Sequence, residues 1–502
     1  MARICLSLTG KTLARNLEIL EKCREYIDIA ELRADCLDAD ERFNLRRFPE
    51  MAGIPVILTL RRISDGGKFV GGEGARITLF SKGLAFADAD RRKNFAYVDL
   101  EEDLDVPSLE EAARTFGTRI IRSYHNFQGV DDNLKEKIMN LRRVGDEIAK
   151  VAIMPQKLAD VIRIYQVAKE TAGIEKILLC MGAYGINTRI LAEHLGSHLS
   201  YTSVKGEPDM EPAAPGHLDP RDLDKLYRFR KITGNTKVYG VVGYPLTVTS
   251  SPEFFNPLFT QEKVDAVYVP FPADSLNSFL RLAEEIQLEG ASVTIPYKEE
   301  VIPHLISRSE KVDYIGACNT IVRSPRGWMG YNTDARGFSD SLLKFIGRKN
   351  LFGKRVTIIG AGGAARAIAA EVYRLKGGGL ILNRTVYRAK DLAQRYGFAW
   401  GGLDNHGIGL MDRYSHIIIQ TTSVGMMPDV DADPLELYNF SGKEMVMDII
   451  YRPEKTKLLS RAEDAGCSII NGYDMLIQQA KYQYNLFMGA DLDNQIIQKL
   501  NL

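Results

Sequence analysis

The stretch Pro55-Val56-Ile57-Leu58-Thr59-Leu60-Arg61 is a short run of β-favouring residues that ends in an arginine. The same pattern, a β-rich run followed by a longer amphipathic stretch, occurs eight times in the first half of the chain. The eight runs begin near Arg3, Tyr26, Pro55, Phe95, Thr118, Glu147, Glu175 and Leu199. Eight such units over roughly 225 residues predict an α/β fold of the TIM type, a closed parallel (β/α)8 barrel of about 250 residues.

Polar side chains recur at the ends of these runs, where such a barrel builds its active site. They are Glu31 and Arg33 in the second run, Arg61 in the third, Glu101 in the fourth, His125 in the fifth, Lys150 at the opening of the sixth, and Arg189 after the seventh. The sequence therefore predicts one pocket to which several strands contribute side chains.

The second half has a different organisation. A polar segment at 229–236 is the predicted linker, and strands at 237–243, 266–271, 290–296 and 317–323 predict a smaller α/β subdomain. The predicted domains are the barrel at 1–228, the linker at 229–236, a substrate-binding subdomain at 237–338, a Rossmann-type subdomain at 339–474, and C-terminal helices at 475–502 that return to the substrate subdomain.

A glycine-rich turn follows the strand that ends at Ile359, and a helix-favouring run follows the turn. Its glycines permit a tight turn and a close approach of the backbone to a pyrophosphate, although Ala365 replaces the third glycine of the usual fingerprint. The residues expected at the cofactor are Gly360, Ala361, Gly362, Gly363 and Ala364. The next strand ends in Asn383-Arg384-Thr385, and an arginine there suits the 2′-phosphate of NADP; Arg388 adds a second contact.

Composition bounds the remaining possibilities. The 502 residues carry 65 basic and 65 acidic side chains, so no net charge favours nucleic acid or a membrane surface. The six cysteines lack paired metal-ligand spacing, which predicts reduced core thiols and no metal site. No signal peptide and no apolar run of about 18 residues is apparent, so we expect a cytoplasmic protein.

From Lys237 to about Gly489 the chain resembles the shikimate dehydrogenases. The motifs that carry the resemblance are Ser292-Val293-Thr294-Ile295-Pro296-Tyr297-Lys298, Gly316-Ala317-Cys318-Asn319-Thr320, Gly330-Tyr331-Asn332-Thr333-Asp334, Asp448-Ile449-Ile450-Tyr451-Arg452-Pro453 and Gly472-Tyr473-Asp474-Met475-Leu476. The resemblance implies NADPH-dependent reduction of 3-dehydroshikimate, with Lys298 and Asp334 as the catalytic pair. It implies substrate contacts from Thr249, Ser251, Thr294, Asn319, Tyr451 and Gln479, and further cofactor contacts from Asn383, Thr385, Ile449 and Gly472.

One segment departs from that family. The pattern His-Ser-Lys-Ser-Pro, whose serines hold the substrate carboxylate, is Val248-Thr249-Ser250-Ser251-Pro252 here. Thr249 and Ser251 keep the hydroxyls, and we expect carboxylate binding to persist. Ser251 and Thr294 occupy positions where quinate-using relatives tend to have smaller residues, which favours shikimate over quinate.

From Arg3 to about Asp219 the chain resembles the type I 3-dehydroquinate dehydratases. The motifs are Glu31-Leu32-Arg33, Thr59-Leu60-Arg61, Ser123-Tyr124-His125-Asn126-Phe127, Lys150-Val151-Ala152-Ile153-Met154-Pro155, Met181-Gly182, Asn187-Thr188-Arg189 and Ala214-Pro215-Gly216. The resemblance implies a Schiff base between Lys150 and a ketone, with His125 as the proton shuttle because the pKa of an ordinary imidazole lies near neutral pH. Arg189 and Arg61 are expected to hold the substrate carboxylate. Further substrate contacts are expected from Ser7, Glu31, Arg33 and His217.

The lyase half departs from its family at three positions. Asp65 stands where a glutamate is usual, and Ala213 and His217 replace the serine and glutamine of the substrate loop. We expect these changes to slow the lyase or to rearrange its substrate loop, whereas the residues of the covalent step are retained.

The combined prediction is a bifunctional enzyme of the shikimate pathway, a lyase followed by an oxidoreductase, that acts on small molecules. One alternative is a dehydrogenase half that uses quinate, with NAD. Another is a ligand-sensing regulator that keeps both folds without activity, which retention of Lys150, His125, Lys298 and Asp334 argues against. The sequence leaves oligomeric state and domain orientation open.

Overall fold

A computed structural model describes residues 1–85, 88–208, 210–246 and 249–492. It divides the chain into two compact units, Met1–Leu288 and Glu289–Leu502. No helix among the described residues has the length and apolar character needed to span a membrane. All six cysteines are free thiols, and five of them are buried.

The first unit begins with eight parallel strands that form a nearly closed barrel, which confirms the predicted fold. The strands are β1 (Arg3–Leu8), β2 (Ile29–Arg33), β3 (Val56–Thr59), β4 (Tyr97–Glu101), β5 (Arg119–Asn126), β6 (Ile148–Ile153), β7 (Lys176–Cys180) and β8 (Leu199–Thr202). Their order around the barrel follows the sequence from β1 to β7, and β8 pairs with β1. Between β7 and β8 the pairing is reduced to a bridge between Lys176 and Ser197.

Helices connect the strands of the barrel. They are α1 (Leu13–Cys23), α2 (Phe48–Ala52), α3 (Gly72–Leu84), α4 (Pro107–Thr115), α5 (Leu134–Leu141), α6 (Leu158–Glu170) and α7 (Ile186–Ile190). Among the described residues between β8 and residue 237 there is no α-helix, but a π-helical turn at Asp222–Leu226 and a 3-10 turn at Phe229–Lys231. Three prolines between residues 212 and 220 withhold backbone donors, so this stretch forms a loop over the barrel.

The first unit ends with a βαβα module. It consists of β9 (Lys237–Gly243), α8 (Ser251–Gln261), β10 (Ala266–Pro272) and α9 (Leu276–Glu285). The strands β9 and β10 pair in parallel over seven residues each. Side chains of α8 pack on β10, where Phe255 stacks on Tyr268 with ring centroids 4.3 Å apart.

The second unit opens with a small mixed sheet and two helices. These elements are β11 (Gly290–Val293), β12 (Leu305–Arg308), α10 (Glu310–Ile315), β13 (Thr320–Ser324), β14 (Gly327–Tyr331) and α11 (Asp334–Ile346). The strand β13 pairs antiparallel with β11 and with β14, and β14 pairs in parallel with β12.

A six-stranded parallel sheet completes the second unit. Its elements are β15 (Arg355–Ile359), α12 (Gly363–Arg374), β16 (Gly378–Leu382), α13 (Val386–Gln394), β17 (Ala399–Gly401), α14 (Asn405–Leu410), β18 (Ile417–Gln420), β19 (Met445–Asp448), α15 (Lys457–Asp464), β20 (Ser468–Ile470) and α16 (Tyr473–Met488). The strand order β17-β16-β15-β18-β19-β20 is that of a Rossmann fold, as predicted. In such a sheet the ligand lies at the carboxyl ends of the central strands, here β15 and β18.

Candidate functional site

The interior of the barrel consists of layers because alternate residues of each strand point inward. An apolar layer at the amino ends of the strands closes the barrel. Its members are Cys5, Ile29, Ile57, Tyr97, Ile121, Ile148, Ile177 and Leu199. Two residues further along six of these strands lie polar side chains, namely Ser7, Glu31, Thr59, Asp99, Ser123 and Lys150. The polar layer of the site therefore lies directly above an apolar layer.

A cavity of about 90 Å³ opens above this polar layer. The predicted residues that line it are Ser7, Glu31, Arg33, Arg61, His125, Lys150 and His217, together with Asp65. Seven predicted substrate or catalytic residues thus share one cavity, although they come from five strands and a loop.

Lys150 lies in the middle of β6 with its ammonium group against two partners. Its Nζ is 2.8 Å from Asp99 Oδ2 and 4.3 Å from the centre of the Tyr201 ring. Burial alone would raise the pKa of Asp99, but the charges of Arg61 and Lys150 outweigh it and hold that pKa well below its usual range. Asp99 therefore stays ionised beneath the lysine.

Sequence reasoning missed Asp99. The signal was present, since Asp99 lies two residues before Glu101 on β4 and thus faces the same side of the strand. The prediction considered the ends of the strands, and the Asp99 carboxylate lies one layer deeper in the barrel.

His125 is half-buried at the end of β5, and its pKa is well below the usual value. Burial is the largest cause, followed by the positive charges of Arg61 and Lys150. Its Nδ1 has no hydrogen-bond partner among the residues that the structure describes. The expectation of an ordinary imidazole is therefore corrected: His125 is neutral in the free site, a state that can accept a proton.

The two arginines expected at the carboxylate have different surroundings. Arg61 forms salt bridges of 2.8 Å to both Asp99 and Glu101 and donates to Ser123 Oγ at 2.9 Å. Arg189 is 1% exposed, and its partners within the described part of the chain are the backbone carbonyls of Tyr201 and Pro215, at 3.3 and 3.4 Å.

Burial lowers the pKa of Arg189 to about 10, and no carboxylate is paired with it in the described part of the chain. A buried cation without a counter-ion favours binding of an anion. Arg61 is thus paired with carboxylates of the described protein and Arg189 is not, although Arg189 does not itself line the cavity.

The remaining lining residues form local pairs. Glu31 accepts hydrogen bonds from Ser7 Oγ at 2.7 Å and Thr59 Oγ1 at 2.9 Å. Arg33 makes a bidentate contact with Asp35 at 2.8 and 2.9 Å. These pairs fix the orientation of one wall of the cavity.

The departures in this half also lie near the cavity. Asp65 lines it and is 2.5 Å from Arg62 Nε. His217 lines it from the loop after β8, with its Nδ1 2.6 Å from Ser203 Oγ. Ser203 is a second residue that sequence reasoning did not single out.

In the second unit, Lys298 and Asp334 form an ion pair with Nζ 2.5 Å from Oδ2. Asp334 is the first residue of α11, where a carboxylate is stabilised by the helix dipole. Asn319 Nδ2 donates to the other carboxylate oxygen at 2.7 Å. The pairing predicted from the motifs is thus present in the geometry.

Asn319 is the centre of a buried hydrogen-bond network. Its Nδ2 also lies 2.9 Å from Thr333 Oγ1 and 3.4 Å from Gln479 Oε1, and its Oδ1 accepts from the Thr333 amide at 2.8 Å. Gln483, one turn after Gln479 on α16, donates to the Asn319 carbonyl at 3.2 Å. Thr333 and Gln483 were not predicted as site residues. Thr333 directly precedes the predicted Asp334, and Gln483 lies four residues after the predicted Gln479 on the same helix, so this spacing was the available signal.

Other predicted substrate residues have less defined surroundings. Thr294 and Tyr451 are half-buried at the ends of β11 and β19. In the first unit, Thr249 Oγ1 lies 3.3 Å from both the hydroxyl and the amide of Ser251. Val248 lies outside the described residues.

The glycine-rich turn after β15 has the geometry that a dinucleotide requires. Gly360 has φ of +113°, and a Cβ there would lie 2.4 Å from Thr421 Oγ1. A Cβ at Gly362 would meet no atom within 4 Å, so the turn is open at the start of α12. The pyrophosphate of a nucleotide fits this open helix N-terminus.

The turn also approaches the predicted catalytic pair. A Cβ at Gly363 would lie 3.0 Å from Lys298 Cδ, so glycine permits this contact. A Cβ at Gly472 would lie 1.9 Å from the Ile449 carbonyl oxygen. Glycine is therefore required at 472 by close approach of the backbone, whereas a Cβ at 363 would need only a small shift of the Lys298 side chain.

The predicted adenosine end of the cofactor site follows β16. Asn383 Nδ2 donates to the Thr385 carbonyl at 2.9 Å, which shapes this turn. Arg384 and Arg388 are exposed beside it, and no ion pair involves Arg384 among the described residues. The unpaired guanidinium group of Arg384 fits a 2′-phosphate at this place, and Arg388 interacts with Tyr387.

Comparison with known proteins identifies both halves. The family model of type I 3-dehydroquinase matches residues 4–234, and that of the shikimate dehydrogenase substrate binding domain matches residues 241–321. A bifunctional 3-dehydroquinate dehydratase/shikimate dehydrogenase of Arabidopsis thaliana, described as chloroplastic, is 29% identical over 508 residues, which cover 97% of this chain and 82% of the relative.

The second half matches single-function relatives over almost their whole length. Shikimate dehydrogenase (NADP(+)) of Pyrococcus abyssi is 36% identical over 268 residues, which cover 53% of this chain and 97% of the relative. A crystal structure of a shikimate dehydrogenase in complex with NADP+ is 33% identical, with a TM-score of 0.49, over 54% of this chain and 96% of that chain. The chain thus carries a type I 3-dehydroquinase domain in its first half and belongs, through its second half, to the shikimate dehydrogenase family.

Proposed function

We propose that this chain performs two consecutive reactions of the shikimate pathway. The barrel dehydrates 3-dehydroquinate to 3-dehydroshikimate, and the second half reduces 3-dehydroshikimate to shikimate with NADPH. The observation that carries the proposal is the presence of two separate lysine–aspartate pairs, one at the floor of a barrel cavity and one beside a dinucleotide-binding turn. We assign the reaction steps to the domains 1–228 and 237–502, joined by the linker 229–236, and place the enzyme in the cytoplasm.

Lys150 is the nucleophile of the first reaction. Its amine attacks the ketone carbon, the carbonyl oxygen leaves as water, and a C=N⁺ bond forms between substrate and lysine. The iminium acidifies the neighbouring C–H. Neutral His125 accepts that proton and returns it to the hydroxyl group on the next carbon, which departs as water.

Hydrolysis completes this reaction. One water molecule adds to the iminium carbon, the enone product is released, and Lys150 regains its amine. Formation of the iminium and elimination each release one water and hydrolysis consumes one, so the net reaction loses one water. Arg189 holds the substrate carboxylate throughout because no carboxylate of the described protein competes for it.

In the second reaction Lys298 delivers the proton and NADPH, when bound, supplies the hydride. Lys298 donates its proton to the carbonyl oxygen of 3-dehydroshikimate, and Asp334 holds the ammonium group in place at 2.5 Å. Asn319 and Gln479 hold ring hydroxyls, while Thr294 and Tyr451 add to this part of the substrate site. The turn from Gly360 to Ala364 and the residues around Arg384 hold the nucleotide.

A coupled assay tests the proposal. Purified chain supplied with 3-dehydroquinate and NADPH is expected to consume NADPH and to form shikimate, with no other enzyme present. NADPH consumption with 3-dehydroshikimate but not with 3-dehydroquinate would reject the dehydratase assignment.

A second experiment tests the covalent step. Borohydride reduction in the presence of 3-dehydroquinate traps an iminium as a stable secondary amine, and mass spectrometry of peptides is expected to find the added mass at Lys150. Adduct formation at another lysine, or none in a preparation that turns over substrate, would contradict the Schiff-base mechanism.

A further inference from the structure

We infer that Ser203 is a positioning residue of the dehydratase that acts through His217. The substrate loop, defined here as residues 213–217, enters and leaves the cavity wall beside one hydroxyl group. Ser203 Oγ is 2.6 Å from His217 Nδ1 and 3.4 Å from the Ala213 amide, so it contacts both ends of the loop. The inference rests on the proposed dehydratase function and adds a residue to it.

Ser203 is itself well anchored. It follows β8 directly, is 5% exposed, and donates its amide to the Leu218 carbonyl at 3.0 Å. A serine hydroxyl can accept one hydrogen bond and donate another, which is what contact with an amide and an imidazole nitrogen requires. A rigid strand thus fixes the place of a loop side chain.

His217 is the side chain that this contact orients. It lines the cavity with Lys150 and His125. Its pKa is well below the usual value, chiefly because of burial and then because of the charges of Arg189, Arg33 and Lys150. A neutral imidazole has two nitrogens, so His217 can engage Ser203 through Nδ1 and present a ring nitrogen to a polar group of the substrate.

The rest of the substrate loop is held by backbone contacts that do not involve His217. The Pro215 carbonyl accepts from the Gly182 amide at 3.0 Å, and Gly216, at φ of +80°, lies so close that a Cβ would be 2.5 Å from the Gly182 oxygen. Removal of the Ser203 hydroxyl is therefore expected to free the imidazole while the loop stays on the barrel.

The test is a double-mutant cycle in the full chain with 3-dehydroquinate as substrate. Ser203→Ala is expected to raise KM about three- to tenfold, the scale of one oriented hydrogen bond, and to change kcat by less than about twofold. Ser203→Thr retains the hydroxyl and is expected to restore KM. In a His217→Ala background, Ser203→Ala is expected to have no further effect on KM.

The other half of the chain provides an internal control. Each variant is expected to reduce supplied 3-dehydroshikimate with wild-type KM, which separates a local effect from misfolding. If the alanine variant melts early, Ser203→Cys, which keeps the volume but hydrogen-bonds weakly, takes its place in the cycle.

The outcomes separate the inference from the proposed function. A wild-type chain that does not dehydrate 3-dehydroquinate rejects the function and the inference with it. An active wild type whose Ser203 and His217 variants have fully additive effects on KM, or whose Ser203→Ala variant equals wild type, leaves the function intact and overturns the inference.

Discussion

The two lysine–aspartate pairs of this chain have similar geometry and different surroundings. Lys150 and Asp99 are 2.8 Å apart with side chains 6% and 0% exposed, inside a network that also contains Arg61 and Glu101. Lys298 and Asp334 are 2.5 Å apart and 15% and 8% exposed, at the start of a helix. A contact distance therefore does not define the chemistry of a lysine.

The groups around each lysine define its chemistry. Around Lys150 a second cation, Arg61, shares the carboxylate of Asp99, and the neutral imidazole of His125 can accept a proton. This arrangement suits an amine that must give up a proton and attack carbon. Among the described residues the carboxylate of Asp334 is shared between Lys298 and the neutral side-chain amide of Asn319, which suits a lysine that stays charged until it donates a proton.

Lys150→Ala is the largest test of this contrast. Without the amine no covalent intermediate forms, so dehydration of 3-dehydroquinate is expected to fall by roughly 10³-fold or more. Reduction of supplied 3-dehydroshikimate is expected to continue at the wild-type rate, as measured by NADPH absorbance. Lys135→Ala, at an exposed lysine of α5, is the matched control and should keep most of the activity.

Lys298→Ala tests the second pair. If this lysine acts as proton donor, kcat for reduction is expected to fall about 10²-fold or more, the usual scale for acid–base groups. KM should change much less because Asn319 and Gln479 remain. Steady-state kinetics decide, and a change confined to KM would make Lys298 a binding residue.

Asp334→Asn completes that cycle. It keeps the shape of the side chain but removes the charge that holds the lysine ammonium, so kcat is again expected to fall. The double variant should lose less than the two single losses combined, since the residues act as one unit. Fully additive losses would show that Lys298 and Asp334 act independently.

Arg384→Ala addresses a difference that lies outside both pairs, the choice of nucleotide. Loss of a charge-assisted contact to phosphate costs about 1.5–3 kcal/mol, or roughly tenfold or more in affinity. NADPH binding is expected to weaken by that factor while NADH binding changes little, as titration by fluorescence or calorimetry would measure. Equal weakening of both nucleotides would mean that Arg384 does not contact the 2′-phosphate.

The sequence predicted the architecture well because it depends on periodic patterns. Each of the eight barrel strands begins within three residues of its predicted start, and the motif order placed Lys298 beside Asp334. Alternation along a strand and glycine in a tight turn are local properties of the chain, so they are readable without coordinates.

What the sequence did not reveal depends on contacts between distant segments. Asp99 meets Lys150 across 51 positions, and Ser203 meets His217 across a loop. The low pKa of His125 arises from burial and from charges on two other strands. No pattern within a single segment encodes these environments, because burial and neighbouring charge are properties of the folded barrel.

The prediction with the smallest expected effect concerns the burial and the charges around the histidines of the barrel cavity. The pKa values of His125 and His217 are both lowered well below the usual value by burial and by neighbouring positive charges. The unfolded chain, with histidine pKa near 6.5, therefore binds protons that the folded barrel excludes. Stability is present above pH 6.5 and falls as the pH drops below it, by about 1 kcal/mol per histidine between pH 6.5 and 5.5.

His217→Gln isolates one of these contributions with little change in shape. Between pH 6.5 and 5.5 the variant barrel is expected to lose about 1 kcal/mol less unfolding free energy than wild type, because one proton fewer binds on unfolding. Urea titrations at the two pH values, followed by proteolytic cleavage of barrel peptides, measure this difference, and all other titrating groups cancel in the comparison.

The dehydrogenase pair has no buried histidine beside it among the described residues, so cleavage of peptides from the second unit should give the same pH dependence in both proteins. An equal loss in the barrel of wild type and variant would mean that His217 titrates normally in the folded state, and the charged environment ascribed to the cavity would then be wrong.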